Sequence, residues 1–224
     1  ASYLQLSEKA REKNQADASR EFLVRAIVTC ERAQALGHLQ TPKDNMNLVS
    51  LYLMAGQFTK GTELLYNGMK SSKIESEPNN WRVLGRYYLE GDQPQQAIKV
   101  LEEAAKLFPK SSEMEVQIAQ IYLQLEKPKE AMRHAKAAIA KKNFETTKEF
   151  SVHYLVAYTA YDIGDIDEAN RAILAAEKFP EAAKDAQLPK LKNVVLEALN
   201  ERAEKQKAKD KDAKKDAPKK TASR

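Results

Sequence analysis

The chain is short of the residues that carry chemistry. A single cysteine, Cys30, cannot close an internal disulfide or supply a Cys pair at metal-binding spacing. The three histidines, His38, His134 and His153, are far apart and make no paired-histidine zinc helix. Glycine occurs seven times in 224 residues and never as a phosphate-cradling loop. No stretch approaches the ~18 consecutive apolar residues that a membrane span needs. Glu102-Glu103 reads as a solvated helix face, His134 as a helix-surface residue, and Cys30 as a buried structural thiol. These absences argue against an enzyme. No catalytic residue, cofactor or metal is expected.

Excess charge is also scarce where it would matter. The formal net charge is +5, but from Glu201 to Arg224 basic residues outnumber acidic ones ten to five, so residues 1–200 balance. A balanced body has no overall field to attract phosphates, and no specific nucleic-acid partner is expected. The stretch from Lys214 to Lys220 holds interspersed aspartate and no aromatic residue for base stacking. It reads as a solvated, disordered tail, with weak contact to an anionic surface as the next reading. The chain opens Ala-Ser rather than Met, and the reading is that a targeting segment or further repeats precede it.

What is present is periodicity. Counting Pro78 as position 1, Trp81, Leu84, Gly85, Tyr88, Ala97, Leu101, Ala104 and Pro109 fall at positions 4, 7, 8, 11, 20, 24, 27 and 32. From Ser112, positions 7, 8, 11, 20, 24 and 27 are Ile118, Ala119, Tyr122, Ala131, Ala135 and Ala138. From Phe150 they are Val156, Ala157, Ala160, Ala169, Ile173 and Ala176, and from Pro42 they are Leu48, Val49, Tyr52, Gly61, Leu65 and Gly68. Small residues at 8, 20 and 27 let two antiparallel helices approach closely, while larger ones fill the space around them. A helix pair of this kind cannot bury its apolar face alone, so the units must stack.

This pattern resembles the tetratricopeptide repeat family, whose repeat is 34 residues long. The resemblance implies an all-α, right-handed superhelical solenoid. Four units start at 42, 78, 112 and 150 and fill residues 42–187. Residues 1–41 read as a degenerate or truncated repeat, with Ala26, Cys30 and Ala33 placed at positions 20, 24 and 27. A capping helix is expected at 188–203, carrying Leu188, Leu191, Val194, Val195 and Leu199, and a disordered Lys-rich tail at 204–224. More narrowly, the segment Asp44–Leu53, the run Leu64–Lys70, Asn79-Asn80-Trp81 and the repeat from His153 to Phe179 resemble bacterial repeat proteins described as periplasmic components of TonB energy-transduction systems. That resemblance implies a periplasmic setting and TonB-system partners. A cytoplasmic adaptor or co-chaperone is the alternative.

In the family's architecture, the first helices line a concave groove that holds a protein or peptide segment, with positions 2, 5, 9, 12 and 13 turned inward. By that rule the groove residues are Met46, Ser50, Leu53 and Met54; Asn79, Arg82, Arg86 and Leu89; Val116, Gln120, Leu123 and Gln124; and Tyr154, Tyr158 and Tyr161. The three tyrosines recur at i, i+4 and i+7, one stripe on one helix face. They suit a binding surface, or ordinary packing between repeats. Arg82 and Arg86, one turn apart, could grip a carboxylate or carbonyl, or sit on a solvated face. Carboxylate-clamp repeats need Lys and Asn where this chain has Met46 and Ser50, which argues against a receptor for chaperone tails.

Overall fold

The computed structural model describes residues 2–215, with side-chain surroundings through Lys209. The described residues are all helical apart from turns and short loops. The helices are α1 (Tyr3–Glu12), α2 (Ala16–Ala35), α3 (Pro42–Met54), α4 (Phe58–Lys70), α5 (Pro78–Glu90), α6 (Pro94–Leu107), α7 (Glu113–Gln124), α8 (Pro128–Lys141), α9 (Glu149–Asp162), α10 (Ile166–Ala176) and α11 (Leu188–Lys215), with a 3₁₀ turn at Pro180–Lys184. Two compact units result, one ending at Ile118 and the other beginning at Ala119 within α7.

Five helix pairs share one turn. Asn14, Gly56, Asp92, Glu126 and Gly164 all have φ between 56° and 80°. The following residue donates its N–H five residues back in each case, as Gln15 does to Ala10, Gln57 to Tyr52 and Gln93 to Tyr88. This reversal satisfies the last carbonyls of the first helix and starts the second helix two residues later. Glycine, asparagine and aspartate tolerate that backbone region, whereas Glu126 occupies it against preference.

The shared turn fixes the register of the first pair. With Asn14 at position 15, positions 8, 11, 20, 24 and 27 become Ser7, Ala10, Ser19, Leu23 and Ala26, and all but the half-buried Ser19 are buried. This alignment starts seven residues earlier than the sequence reading of Ala26, Cys30 and Ala33. The physical reason is that α2 has 20 residues, against 13 in α4 and 14 in α6. Its small and apolar residues recur every three or four places, so a shift of about two helical turns maps the helix onto itself. The true crossing is polar. The Ser7 hydroxyl donates to the Ser19 carbonyl at 2.9 Å, and the Ser19 hydroxyl donates to the Ser7 carbonyl at 3.0 Å.

The other pairs pack as their small positions require. Trp81, Leu84, Ala97, Leu101 and Ala104 are sealed from solvent in the first unit, and Ala131, Ala135, Ala157, Ala160, Ala169 and Ile173 in the second. At Gly85 a Cβ would lie 2.9 Å from Leu101 Cγ, so only glycine admits that leucine. The insertion after α4 folds back on its own repeat. Ser72 turns with φ 59°, and buried Ile74 packs onto Gly68, where a Cβ would lie 2.6 Å from Ile74 Cδ1. Local chemistry starts α3: Thr41 and Asp44 exchange capping hydrogen bonds around Pro42. These bonds from the Thr41 side chain and backbone hold the Asp44 carboxyl below its usual range.

His134 lies in the core rather than on the helix surface expected for it. It is buried in α8 with its ring stacked on Tyr122. At the C-terminal end Leu188, Leu191 and Val195 of α11 are buried, and Lys192–Glu177 and Arg202–Asp167 ion pairs tie its flank to α10 and the residue that follows it. The helix runs past Ala203 to Lys215. The rest of the expected tail, 216–224, lies outside the described residues.

Candidate functional site: the faces of the first helices

In the first unit the groove positions divide by burial. Met54 is 48% exposed at the end of α3, and Met46 and Ser50 are half-buried. The Ser50 hydroxyl donates back to the Met46 carbonyl at 3.0 Å. Leu53 faces inward and is buried, its Cδ2 lying 2.5 Å from where a Gly61 Cβ would stand. Val116 is likewise buried. Neither presents a side chain to a ligand, because positions 12 and 5 of these two helices are taken up by packing. On α5, Asn79 is exposed and Leu89 half-buried.

The two arginines have partners within the fold. Arg82 Nη2 lies 3.8 Å from Glu113 Oε2, a carboxylate 1% exposed. Arg86 Nε lies 3.5 Å from Glu90, and its guanidinium sits 4.8 Å over the ring of Tyr87. Arg82 therefore helps hold a buried carboxylate, while Arg86 remains exposed and pairs only loosely. Nothing in the residue pattern signals the Arg82–Glu113 pair, since Glu113 at a helix start reads as an ordinary favourable charge.

In the second unit Gln120 and Gln124 are exposed and Leu123 is half-buried. The tyrosine stripe lies on α9 with graded exposure. Tyr154 is half-buried, while Tyr158 and Tyr161 are 43% and 37% exposed. Burial pushes the Tyr154 hydroxyl above its ordinary pKa, with Asp185 and Tyr158 adding to the effect. All three carry an aromatic ring with a hydroxyl tip, able to stack on a ligand and hydrogen-bond it.

The cavities that open among these elements in the first unit include two that border α3 along several groove positions or their neighbours. The larger, about 530 Å³, has Tyr3 and Leu4 of α1 on one side and Ala26, Thr29 and Cys30 of α2 on another. Asn47, Ser50, Leu51 and Met54 of α3 complete it. The smaller, about 230 Å³, brings Met46 and Asn47 beside Lys43, Glu75, Glu77 and Asn80. Sequence reasoning found Ser50 and Met54 but missed the walls from α1 and α2, because the seven-residue register shift hid how the first pair meets α3. Burial raises the Cys30 thiol above its ordinary pKa, so it is a poor nucleophile there. Among the described residues no group of three or more His, Cys, Asp and Glu could hold a metal, and no helix is long and apolar enough to cross a membrane.

A family model for the tetratricopeptide repeat matches residues 88–146, from late α5 to the turn after α8. No curated protein matches the sequence. Among solved structures, a MamA protein superposes with a TM-score of 0.54 at 18% identity, covering 82% of this chain and 93% of its own. A MamA from Desulfovibrio magneticus RS-1 gives 0.52 at 13% identity, with 82% and 96% covered. The fold is thus the all-helical tetratricopeptide solenoid class, and the repeat reading rests on both the family model and these structures.

Proposed function

We propose that the chain is a non-catalytic scaffold that holds a partner's segment on the faces of its first helices, as an accessory component of a bacterial envelope transport system of the TonB type. The observation that carries the binding part is the pair Tyr158 and Tyr161, two large aromatic side chains left exposed on α9. A repeat that needed them only for packing would bury them, and aromatic residues with polar tips are favoured at recognition surfaces. Within the first unit by itself, Met54 is an exposed apolar side chain and Arg86 an exposed cation. The envelope setting is supported by the resemblance of the 44–81 and 153–179 segments to periplasmic TonB-system repeat proteins.

The test is affinity capture by the full chain from a bacterial envelope fraction and, separately, from cytosol. The same is done with a Tyr154→Ala, Tyr158→Ala, Tyr161→Ala variant whose helix content has been checked. Envelope proteins of an energised uptake system should be enriched by the native chain and lost from the variant. Equal capture by the folded variant would place the binding face elsewhere. Enrichment from cytosol alone would favour the adaptor reading.

A further inference from the structure

The cavity between α1, α2 and α3 has a character that the tyrosine face lacks. None of its lining side chains carries a charge. Two of its hydroxyls are spent: Thr29 donates to the Arg25 carbonyl at 2.8 Å and Ser50 to the Met46 carbonyl at 3.0 Å. What these two groups leave for a ligand is carbon surface and acceptor lone pairs, with the Ser2 and Tyr3 hydroxyls and the Asn47 amide as neutral polar groups beside them. A charged group entering this space would lose its hydration with no counter-charge to replace it. At about 530 Å³ the cavity is also within the range of pockets that enclose ligand groups, roughly 300–1,000 Å³. Exposed Met54, long and unbranched, stands in its wall and can adapt to different apolar shapes.

We infer that this cavity is an anchor pocket for a bulky, uncharged apolar side chain of the partner segment, of the leucine or phenylalanine kind. The inference rests on the peptide-holding reading and adds what the partner must carry. Ser50 and Met54 belong both to the first-helix face and to the cavity wall, so a segment lying on that face can lower one side chain between α1 and α3. The selectivity is by exclusion: aspartate, glutamate, lysine and arginine are rejected at this point whatever they do elsewhere on the segment.

The experiment uses the full chain with ¹³C-methyl-labelled methionine and the probes N-acetyl-phenylalaninamide and N-acetyl-leucinamide. N-acetyl-lysinamide and the α-amide of N-acetyl-aspartate are the charged controls, and decanol is an alkyl control. The Met54 methyl signal should shift saturably with the two apolar amides at millimolar concentration, while Met132 of α8 stays still and the charged amides leave Met54 unmoved. Filling the cavity by Thr29→Phe should weaken the response at least tenfold. If that variant fails to fold, Asn47→Tyr on the opposite wall carries the same expectation. No saturable Met54 shift, an equal response to the charged amides, or an undiminished response in the filled variant would overturn the inference. A response to decanol far stronger than to the amides would also overturn it, assigning the cavity to an alkyl ligand. The tyrosine triple variant should keep the Met54 response, so failure of the α9 face and failure of this pocket are told apart.

Discussion

Replacing Gly85 by alanine sets two effects of known sign against each other. In the middle of α5, alanine should favour the helix by about 1 kcal/mol over glycine. The added Cβ, however, would stand 2.9 Å from both Cδ2 and Cγ of Leu101 and 3.0 Å from Cδ1. All three carbons belong to a leucine sealed from solvent, so it cannot swing aside. Overpacking of this kind costs about 1–3 kcal/mol, and the net expectation is a loss of about 0–2 kcal/mol. Urea unfolding followed by fluorescence measures it, because the only tryptophan, Trp81, is fully buried one turn earlier on the same helix. Leu101→Val trims the obstructing branch, and the double variant should recover about 1 kcal/mol relative to the sum of the singles. A Gly85→Ala protein stabilised by the full helix term, with effects strictly additive to Leu101→Val, would refute the claim that this contact limits how closely α5 and α6 approach.

Four further outcomes follow from the geometry. Gly164→Ala meets no atom within 4 Å but must adopt φ +80°, so thermal unfolding should show a loss of about 1–2 kcal/mol. Glu126→Gly, at the equivalent turn with φ 56°, should be neutral or stabilising by up to about 1 kcal/mol. Arg82→Gln removes the guanidinium beside the buried Glu113 carboxylate, and the urea midpoint should fall by the equivalent of about 1–3 kcal/mol. His153 has its pKa lowered, first by burial, with Lys178 adding and Glu149 opposing. The unfolded state therefore binds the proton more readily, so stability is full above the unfolded value near 6.5 and falls as pH drops through it. Melting followed by circular dichroism at pH 7.5 and 5.5 should show this drop, smaller in His153→Gln; an equal drop in both would assign it to other groups.

The repeats from 42 onward were legible because their small residues are apolar. Gly85 with Ala97 and Ala157 with Ala169 stand out from their neighbours at fixed spacing, and each member of these pairs is buried. The first pair was legible as helix but not in register, since its crossing uses Ser7 and Ser19, residues that read as solvent-facing in a hydropathy pattern. Burial at groove positions was equally hidden. Leu53 and Val116 occupy the same positional classes as exposed surface residues, and only the depth of the neighbouring helices decides which way they face. His134 followed the same logic, since a lone histidine on a helix carries no sequence mark of the tyrosine ring it will stack upon. The cavity could not be read at all, because it is the product of three helices whose mutual placement depends on that first register.

The serine pair of the first hairpin has a consequence for how the chain folds. The ambiguity that α2 offers a reader it also offers the collapsing chain, for which a helix slipped by seven residues is a competing compact state. In that slipped state Ala26 would stand opposite Ser7, and the Ser7 hydroxyl would meet a methyl group. A crossing made of alanine and glycine would slide past this error with little resistance. Two reciprocal hydroxyl–carbonyl bonds cannot slide: they form together in one alignment and are lost together in the other. If these bonds set the alignment, a Ser7→Ala, Ser19→Ala chain should refold with a slow phase that the native chain lacks, and identical refolding of the two would show that they do not.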